Sequence, residues 1–366
     1  MKKILFFIHN LGPGGAEKVL VNLANHMDQN KFEVTVMTMF DEGVNRQFLK
    51  PHIRYKYFFK RMFRGNSHLL ALFPAQWLHS RFIDEKYDIE IAYLEGPSAR
   101  IISGCTNPNT KIVSWIHTQF QSKTRAVQGF RSMKDAAECY RRFHKIIGVS
   151  RNVSDSMRSL FPDLKDVQVL YNTNETEEIR RKAAEPVELV QEPVKLCAVG
   201  RLIPIKGFDR LLRIHKRLRE QYNIHTYILG VGAEQANLQK YVAENGLQDS
   251  VTFPGYQTNP YKYVANCDLF VCSSHTEGFS TAATEALIVG TPVCTVEVSG
   301  MKEMLGDDNE YGIVTENDEE ALYQGIKKLL DDPQLLAHYK KQAVLRGKDF
   351  STENTVKAVE EMVLSL

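Results

Sequence analysis

The chain has 366 residues, with 46 lysines and arginines against 44 aspartates and glutamates, a formal net charge of +2, 43% hydrophobic and 25% charged side chains. That length exceeds one small core and suits two domains, and the near-balanced charge is not the signature of a nucleic-acid binder. No apolar run is long enough to span a bilayer, and the six scattered cysteines, with no C-x-x-C pair, fit reduced, buried side chains in a cytoplasmic protein.

In chain order, the apolar run at residues 4–8 is too short for the core of a signal peptide and reads as a strand buried on both faces. A glycine-rich turn follows. Residues 16–27 then carry apolar side chains at 16, 19, 20, 23, 24 and 27, the period of a helix. Strands are expected at 32–39, 88–94, 111–117 and 145–149. Residues 172–193, charged, holding two prolines and lacking a clean period, read as an interdomain link. The pattern restarts with strands at 195–199, 226–229, 251–253, 269–272 and 292–296, alternating with helices at 209–220, 233–245 and 280–289. Helices are expected again from 333 to 366. Strands alternating with helices imply a parallel sheet in each half, an α/β chain of two doubly wound domains. Such a pair predicts a cleft, with ligands at the carboxyl ends of the strands.

Three loops fall at those ends. The first, His9 to Glu17, holds Gly12, Gly14 and Gly15. It partly fits the dinucleotide fingerprint G-x-G-x-x-G, with Asp41 as the acid on strand two, but its third position is Glu17, which repels a pyrophosphate. A tight turn without ligand and a loop lining the cleft are the other readings. The second, Val199 to Phe208, sets Arg201 and Lys206 five apart between Gly200 and Gly207. These are a planar fork of donors and a mobile point charge, suited to a diphosphate, or else two solvated surface cations. The third runs from His275 to Val293 and places Glu277 in a loop and Glu285 eight residues later in a helix. Ser280 or Thr281 can cap that helix, leaving amides near Phe279, Ser280 and Thr281 to face an anion. On one straight helix the two acids would stand about 12 Å apart. Divided between loop and helix, they can flank an elongated ligand and accept hydrogen bonds from its hydroxyls. Glu285 also fits an ordinary polar helix position, and Glu277 an acid that stabilises the helix dipole.

Glu277-Gly-Phe-x5-Glu285-Ala resembles the E-x7-E signature of retaining glycosyltransferases of family 4, with the two-Rossmann-domain GT-B fold. Gly14-Gly-Ala-Glu17 is similar to the family's amino-terminal glycine loop, and Gly200-Arg-Leu-x3-Lys206-Gly to its diphosphate segment. Leu229-Gly-x-Gly232 and Val251-x-Phe-x-Gly-Tyr256 resemble the loops that follow, the second cradling the base. Trp115-Ile-His117 falls where the family often places a histidine near the transferred sugar. Ser299-Gly-Met-Lys-Glu303 stands in the place of Gly-Gly-x-x-Glu, with serine for the first glycine.

The resemblance implies domains at 1–171 and 194–345, the link at 172–193, and a carboxy-terminal helix, 346–366, crossing back to the first domain. It implies transfer, with retention, of a hexose or N-acetylhexosamine from a nucleotide diphosphate sugar, UDP before GDP. The acceptor it implies is a glycan or polyprenyl-diphosphate-linked sugar in bacterial surface polysaccharide synthesis. Arg201 and Lys206 would hold the diphosphate and neutralise the leaving group, Glu285 the ribose and Glu277 the sugar. Gly15, Gly200, Gly232, Tyr256, Gly278, Phe279, Ser280 and Thr281 complete the donor side, and Gly14, Gly15 and Glu17 the acceptor side. His117 meets a sugar hydroxyl or else packs in the core. No metal and no cofactor are expected, since two cations and a helix dipole can replace a metal and no D-x-D appears. A nucleotide-sugar epimerase on the same fold and a binding protein without catalysis are the alternatives.

Tyr55 to Arg64 interleaves aromatics with four cations, and residues 69–82 add an apolar segment with Trp77. That mixture suits an anionic lipid surface, which would place the protein peripherally on the inner face of the plasma membrane. It equally suits a core element with a basic outer face. Single-stranded nucleic acid is not expected from one short patch at this net charge.

Overall fold

The computed structural model describes residues 1–63, 65–120, 122–191 and 194–366, and for His68 the backbone alone. The chain forms two compact units, Met1–Asn174 with Thr352–Leu366, and Glu175–Ser351.

In the first unit, strands β1 (Lys2–Ile8), β2 (Phe32–Phe40), β3 (Arg54–Phe59), β4 (Ile89–Ala92), β5 (Lys111–Ile116), β6 (Lys145–Gly148) and β7 (Val167–Val169) form one sheet ordered β3-β2-β1-β4-β5-β6-β7. In the second, β8 (Val194–Val199), β9 (Ile224–Leu229), β10 (Val251–Gly255), β11 (Leu269–Cys272), β12 (Val293–Val296) and β13 (Ile313–Thr315) are ordered β10-β9-β8-β11-β12-β13. Every pairing is parallel. Ile4 to Ile8 have no exposed surface, because helices cover both faces of a central parallel strand. That is why the run is continuously apolar rather than alternating. The strand order reverses between β1 and β4 and again between β8 and β11, which opens a crevice at the carboxyl ends there.

Three strands escape the sequence reading. β7 and β13 are three residues each at sheet edges, too short to show a period. β3 is the other edge, and of the two readings of residues 55–64, residues 55–59 follow the core element with a basic outer face. Tyr55 Oη contacts Thr38 Oγ1 at 2.8 Å and donates to Asp41 Oδ1 at 3.0 Å. Phe58 stacks on Phe82 at 4.1 Å and Phe59 on Phe40 at 5.5 Å, contacts of about 0.5–1.5 kcal/mol each beyond burial. Lys56 pairs with Asp84 and Glu85, and Arg54 grips Glu85 with two bonds of 2.7 and 2.6 Å. Lys60, Arg61, Met62 and Phe63 are exposed; Arg64 lies outside the described residues.

The stretch 172–193 differs from an irregular link. Asn172, Thr173 and Asn174 are buried in the first unit, and Asn22 donates to the Thr173 carbonyl at 3.2 Å. A helix, Thr176–Ala183, follows in the second unit, anchored by Ile179, its one buried aliphatic side chain and too little to print a period. Glu192 and Pro193 lie outside the described residues. At the other end, helix Pro333–Arg346 belongs to the second unit and helix Thr352–Leu364 to the first. In the first unit the Asp28 amide donates to Glu360 at 2.7 Å and Lys2 Nζ to the Val363 carbonyl at 3.3 Å. No helix among the described residues is long and apolar enough to cross a membrane. All six cysteines are buried and unbridged.

Candidate functional site

At the carboxyl end of β8 the chain leaves through Gly200 and Arg201 into a short 3-10 turn, Pro204–Lys206, closed by Gly207. Gly207 has φ +61°, and a Cβ there would lie 2.1 Å from the Ser273 carbonyl oxygen. Only glycine lets this turn press against the end of β11. Two further bonds fasten the turn: Ser273 Oγ donates to the Lys206 carbonyl at 3.0 Å, and the His275 amide to the Ile205 carbonyl at 2.8 Å.

The consequence is a meeting that the sequence reading did not foresee. Lys206 Nζ donates to Glu277 Oε1 at 2.6 Å, and Ser274 Oγ donates to the same oxygen at 2.6 Å. The lysine side chain is 23% exposed and the glutamate 11%. An ammonium has three donors, so this pairing leaves two for a ligand. Arg201 is exposed, and among the described residues no ion pair holds it.

A residue missed from the sequence braces this loop. Arg210, 3% exposed, donates from Nε to the Ser273 carbonyl at 2.7 Å, from Nη2 to the Ser274 carbonyl at 2.8 Å and from Nη1 to Asn317 Oδ1 at 3.0 Å. Asn317 in turn donates to the His275 carbonyl at 3.1 Å. Burial lowers the pKa of the Arg210 guanidinium. The only signal in the sequence was a cation on the apolar face of helix Phe208–Arg219, which periodicity alone reads as an irregularity.

The neighbouring loops divide into two kinds. Gly230, with φ +137°, would place a Cβ 1.9 Å from the Gly200 carbonyl oxygen, and a Cβ on Gly232 would lie 2.2 Å from the Leu202 carbonyl oxygen. Packing within the unit therefore accounts for both. Gly200 is different: a Cβ there would touch only the Phe208 ring at 3.4 Å and the Lys206 stem at 3.6 Å, ordinary contacts. Tyr256, 60% exposed, follows Gly255 at the end of β10.

Helix Thr281–Ile288 starts at Ser280, whose side chain accepts from the Ala283 amide at 3.3 Å; of the two expected caps, serine takes the role. Phe279 is buried, 6.0 Å from the Phe350 ring and against Gly300, so its ring is a packing element. Glu285 is only 7% exposed and accepts from Tyr261 Oη at 3.3 Å, which corrects its reading as an ordinary polar helix position. After β12 the left-handed residue is Gly300, φ +80°, while Ser299 is buried without positive φ. The one position there that demands glycine thus keeps it. Arg346 Nε and Nη2 hold the carbonyls of Met304 and Glu303 at 2.9 and 2.5 Å.

In the first unit the turn after β1 is tied by the Gly12 amide to Asn10 Oδ1 at 3.0 Å and the Leu11 amide to the Glu42 carbonyl at 2.9 Å. Gly14 caps helix Gly15–His26, with Glu17 in its first turn, where the helix dipole favours an acid. None of Gly12, Gly14 and Gly15 has positive φ. His117 follows β5; its amide donates to Glu95 Oε2 at 3.0 Å and its ring lies 4.9 Å from Tyr93. Nε2 is buried without a partner among the described residues, and burial pushes the imidazole pKa down to about 3, so the ring is neutral near pH 7. Glu95, also unforeseen, has its carboxyl pKa raised by burial, against hydrogen bonds from Thr118 and the His117 amide.

Comparisons with known proteins follow this division of the chain. Residues 13–178 match the family described as Glycosyltransferase Family 4, and residues 179–346 that described as Glycosyl transferases group 1. The chain is 30% identical, over 96% of each sequence, to a Campylobacter jejuni enzyme named N-acetylgalactosamine-N,N'-diacetylbacillosaminyl-diphospho-undecaprenol 4-alpha-N-acetylgalactosaminyltransferase. It is 22% identical to the lipopolysaccharide core biosynthesis glycosyltransferase LpsD of Rhizobium meliloti, over 90% of this chain and 88% of that one. Among solved structures, Anabaena HepE in complex with UDP and glucose shares the fold, with TM-score 0.79 over 100% of both chains at 21% identity.

Proposed function

The chain belongs to the group 1, family 4 glycosyltransferases, hexosyl-transferring enzymes of the GT-B fold, and we propose that it moves a hexose or N-acetylhexosamine from a UDP-sugar, with retention of configuration, to a polyprenyl-diphosphate-linked glycan in bacterial surface polysaccharide synthesis. The observation that carries this reading is Lys206 bonded to Glu277 at the ends of β8 and β11, with the exposed Arg201 on the same loop as Lys206 and in no ion pair among the described residues. The two remaining ammonium donors and the guanidinium fork meet the diphosphate and offset the charge that develops as the sugar–phosphate bond breaks. Glu277 orients the lysine and presents its second oxygen to a sugar hydroxyl. The amides at the start of helix Thr281–Ile288 add a dipole of the same sign, so no metal is required for the leaving group.

Gly200, where the fold tolerates a Cβ, is left open for the close approach of the donor. Glu285 accepts hydroxyl hydrogens of the ribose, and Tyr256 covers the base. The neutral His117 offers the transferred sugar a ring nitrogen that has no partner among the described residues, and Gly14, Gly15 and Glu17 serve the acceptor side. UDP is favoured as the carrier by the likeness to HepE, and a polyprenyl acceptor by the Campylobacter relative. Lys60, Arg61, Met62 and Phe63 supply cations and apolar tips for an anionic membrane carrying that acceptor, on the cytoplasmic side.

The test is transfer from a panel of UDP- and GDP-sugars to a polyprenyl-diphosphate-linked acceptor, with the product's anomeric configuration read by NMR. Arg201→Ala and Lys206→Ala each lower kcat/KM more than tenfold, a loss above about 1.4 kcal/mol; wild-type kinetics in both would remove the diphosphate assignment. Donor conversion without acceptor would make the protein an epimerase. In the same preparations, Lys60→Ala with Arg61→Ala halves binding to anionic vesicles while sparing donor hydrolysis, and unchanged partitioning ends the membrane reading.

A further inference from the structure

One polar cluster plays no part in the chemistry above. His79 lies on helix Ala75–Phe82, Glu90 is the second residue of β4, and Cys105 follows helix Pro97–Ile102. Their ligating atoms all lie within 4.8 Å of one another, and His79 Nε2 is 2.7 Å from Glu90 Oε2. The side chains of His79 and Glu90 are 14% and 3% exposed, and Cys105 is 7% exposed.

A carboxylate buried to this degree needs a charged or metal partner, and among the described residues Glu90 has only the His79 imidazole, charged when protonated. Its neighbours on β4, Ile89, Ile91 and Ala92, are apolar and 0–1% exposed, and a leucine at position 90 would serve such a strand better. The backbone is also drawn in around the cluster. A Cβ on Gly104 would lie 2.0 Å from the Ala75 carbonyl oxygen, so glycine is what lets the chain before Cys105 rest on the first turn of the helix carrying His79. From the other side, Arg142 donates to the carbonyls of Ser103 and Cys105 at 2.5 and 2.8 Å.

We propose that His79, Glu90 and Cys105 bind one thiophilic divalent cation of the zinc class, as a structural site in the first unit. One imidazole nitrogen, one carboxylate oxygen and one thiolate form a ligand set that zinc accepts and that calcium and magnesium, which take oxygen alone, do not. Ligands around a tetrahedral zinc stand about 3.5 Å apart, so the cluster closes on the ion with shifts of about 1 Å, and a water completes the four. The site ties a helix and a loop to a central strand. It lies toward the amino end of β4, whereas His117 and the turn after β1 lie at carboxyl ends, so it fastens the fold and does not take part in transfer.

The full chain, stripped with chelator, is titrated with cobalt(II) and then zinc(II). The expected result is a thiolate-to-cobalt absorption band saturating at one equivalent, displaced by zinc, with Tm raised by about 5 °C or more at 100 times Kd. Cys105→Ser, the replacement gentlest on the fold, abolishes the band and weakens zinc binding at least about tenfold, and Glu90→Gln weakens it likewise. A cluster held by its own protons gives no band and no Tm shift, which overturns the proposal. So does a band that survives in Cys105→Ser, since another cysteine would then be the ligand.

Discussion

Around β8 and β11 the strand ends carry a lysine paired with a glutamate, a buried arginine that braces the loop, and an exposed arginine. Around β4 and β5 they carry a neutral histidine, a tyrosine and a half-buried glutamate whose carboxyl pKa is raised by desolvation. One sheet topology thus presents two different surfaces. The charged end suits an anion, because Lys206 is already oriented by Glu277 and needs little reorganisation when negative charge develops. The neutral end suits an uncharged, hydroxyl-rich group, for which a fixed ion would carry a desolvation cost without return.

The largest expected effect comes from breaking the brace of the charged end. Arg210→Met leaves the Ser273 and Ser274 carbonyls without their donor. It should cost about 3 kcal/mol, lowering Tm by roughly 6–12 °C, and should lower kcat through the loop that Arg210 braces. Calorimetry and steady-state kinetics check this, and an unchanged Tm would show that the loop holds itself.

At the neutral end, His117→Gln is expected to lower kcat about tenfold with the donor KM unchanged. It also tests the burial of the ring. The folded-state pKa lies below the unfolded value of 6.5, so the unfolded chain binds the proton first. Stability is therefore complete above pH 6.5 and falls as pH drops toward 3, by up to about 1.4 kcal/mol per pH unit from this group. Denaturant midpoints between pH 7 and pH 4 should fall less steeply in the variant; equal slopes would mean that the ring is hydrated.

The smallest effect on stability, and the sharpest on the comparison, is Gly200→Ala. Its Cβ has room in the fold, so Tm should stay within about 1 °C or rise slightly, while donor affinity falls about tenfold as the methyl group meets the ligand. Calorimetric titration with UDP reads the second part. Undiminished affinity would mean that the loop does not approach the diphosphate.

Much of this was legible in the residues. The ten strands expected from apolar runs all exist, and the helix cap at Ser280 falls where a hydroxyl precedes a period of small and apolar residues. The loops at the carboxyl ends of the strands were legible because glycine and proline mark breaks. What stayed hidden has a common cause. Whether Phe58 and Phe59 face lipid or the core stayed open because their partners, Phe82 and Phe40, are distant in sequence. Arg210 was missed because the carbonyls it holds belong to another strand's loop.

The alternation of ten strands with helices, the family and the roster of charged loop residues were determined by the sequence itself, because hydrophobic period, turn chemistry and local spacing act over a few neighbouring residues. Only the tertiary structure decided that Lys206 pairs with Glu277, that Glu285 is buried beside Tyr261, and that His79, Glu90 and Cys105 converge. Those meetings join residues up to 71 positions apart, through parallel strands whose register the local pattern does not record.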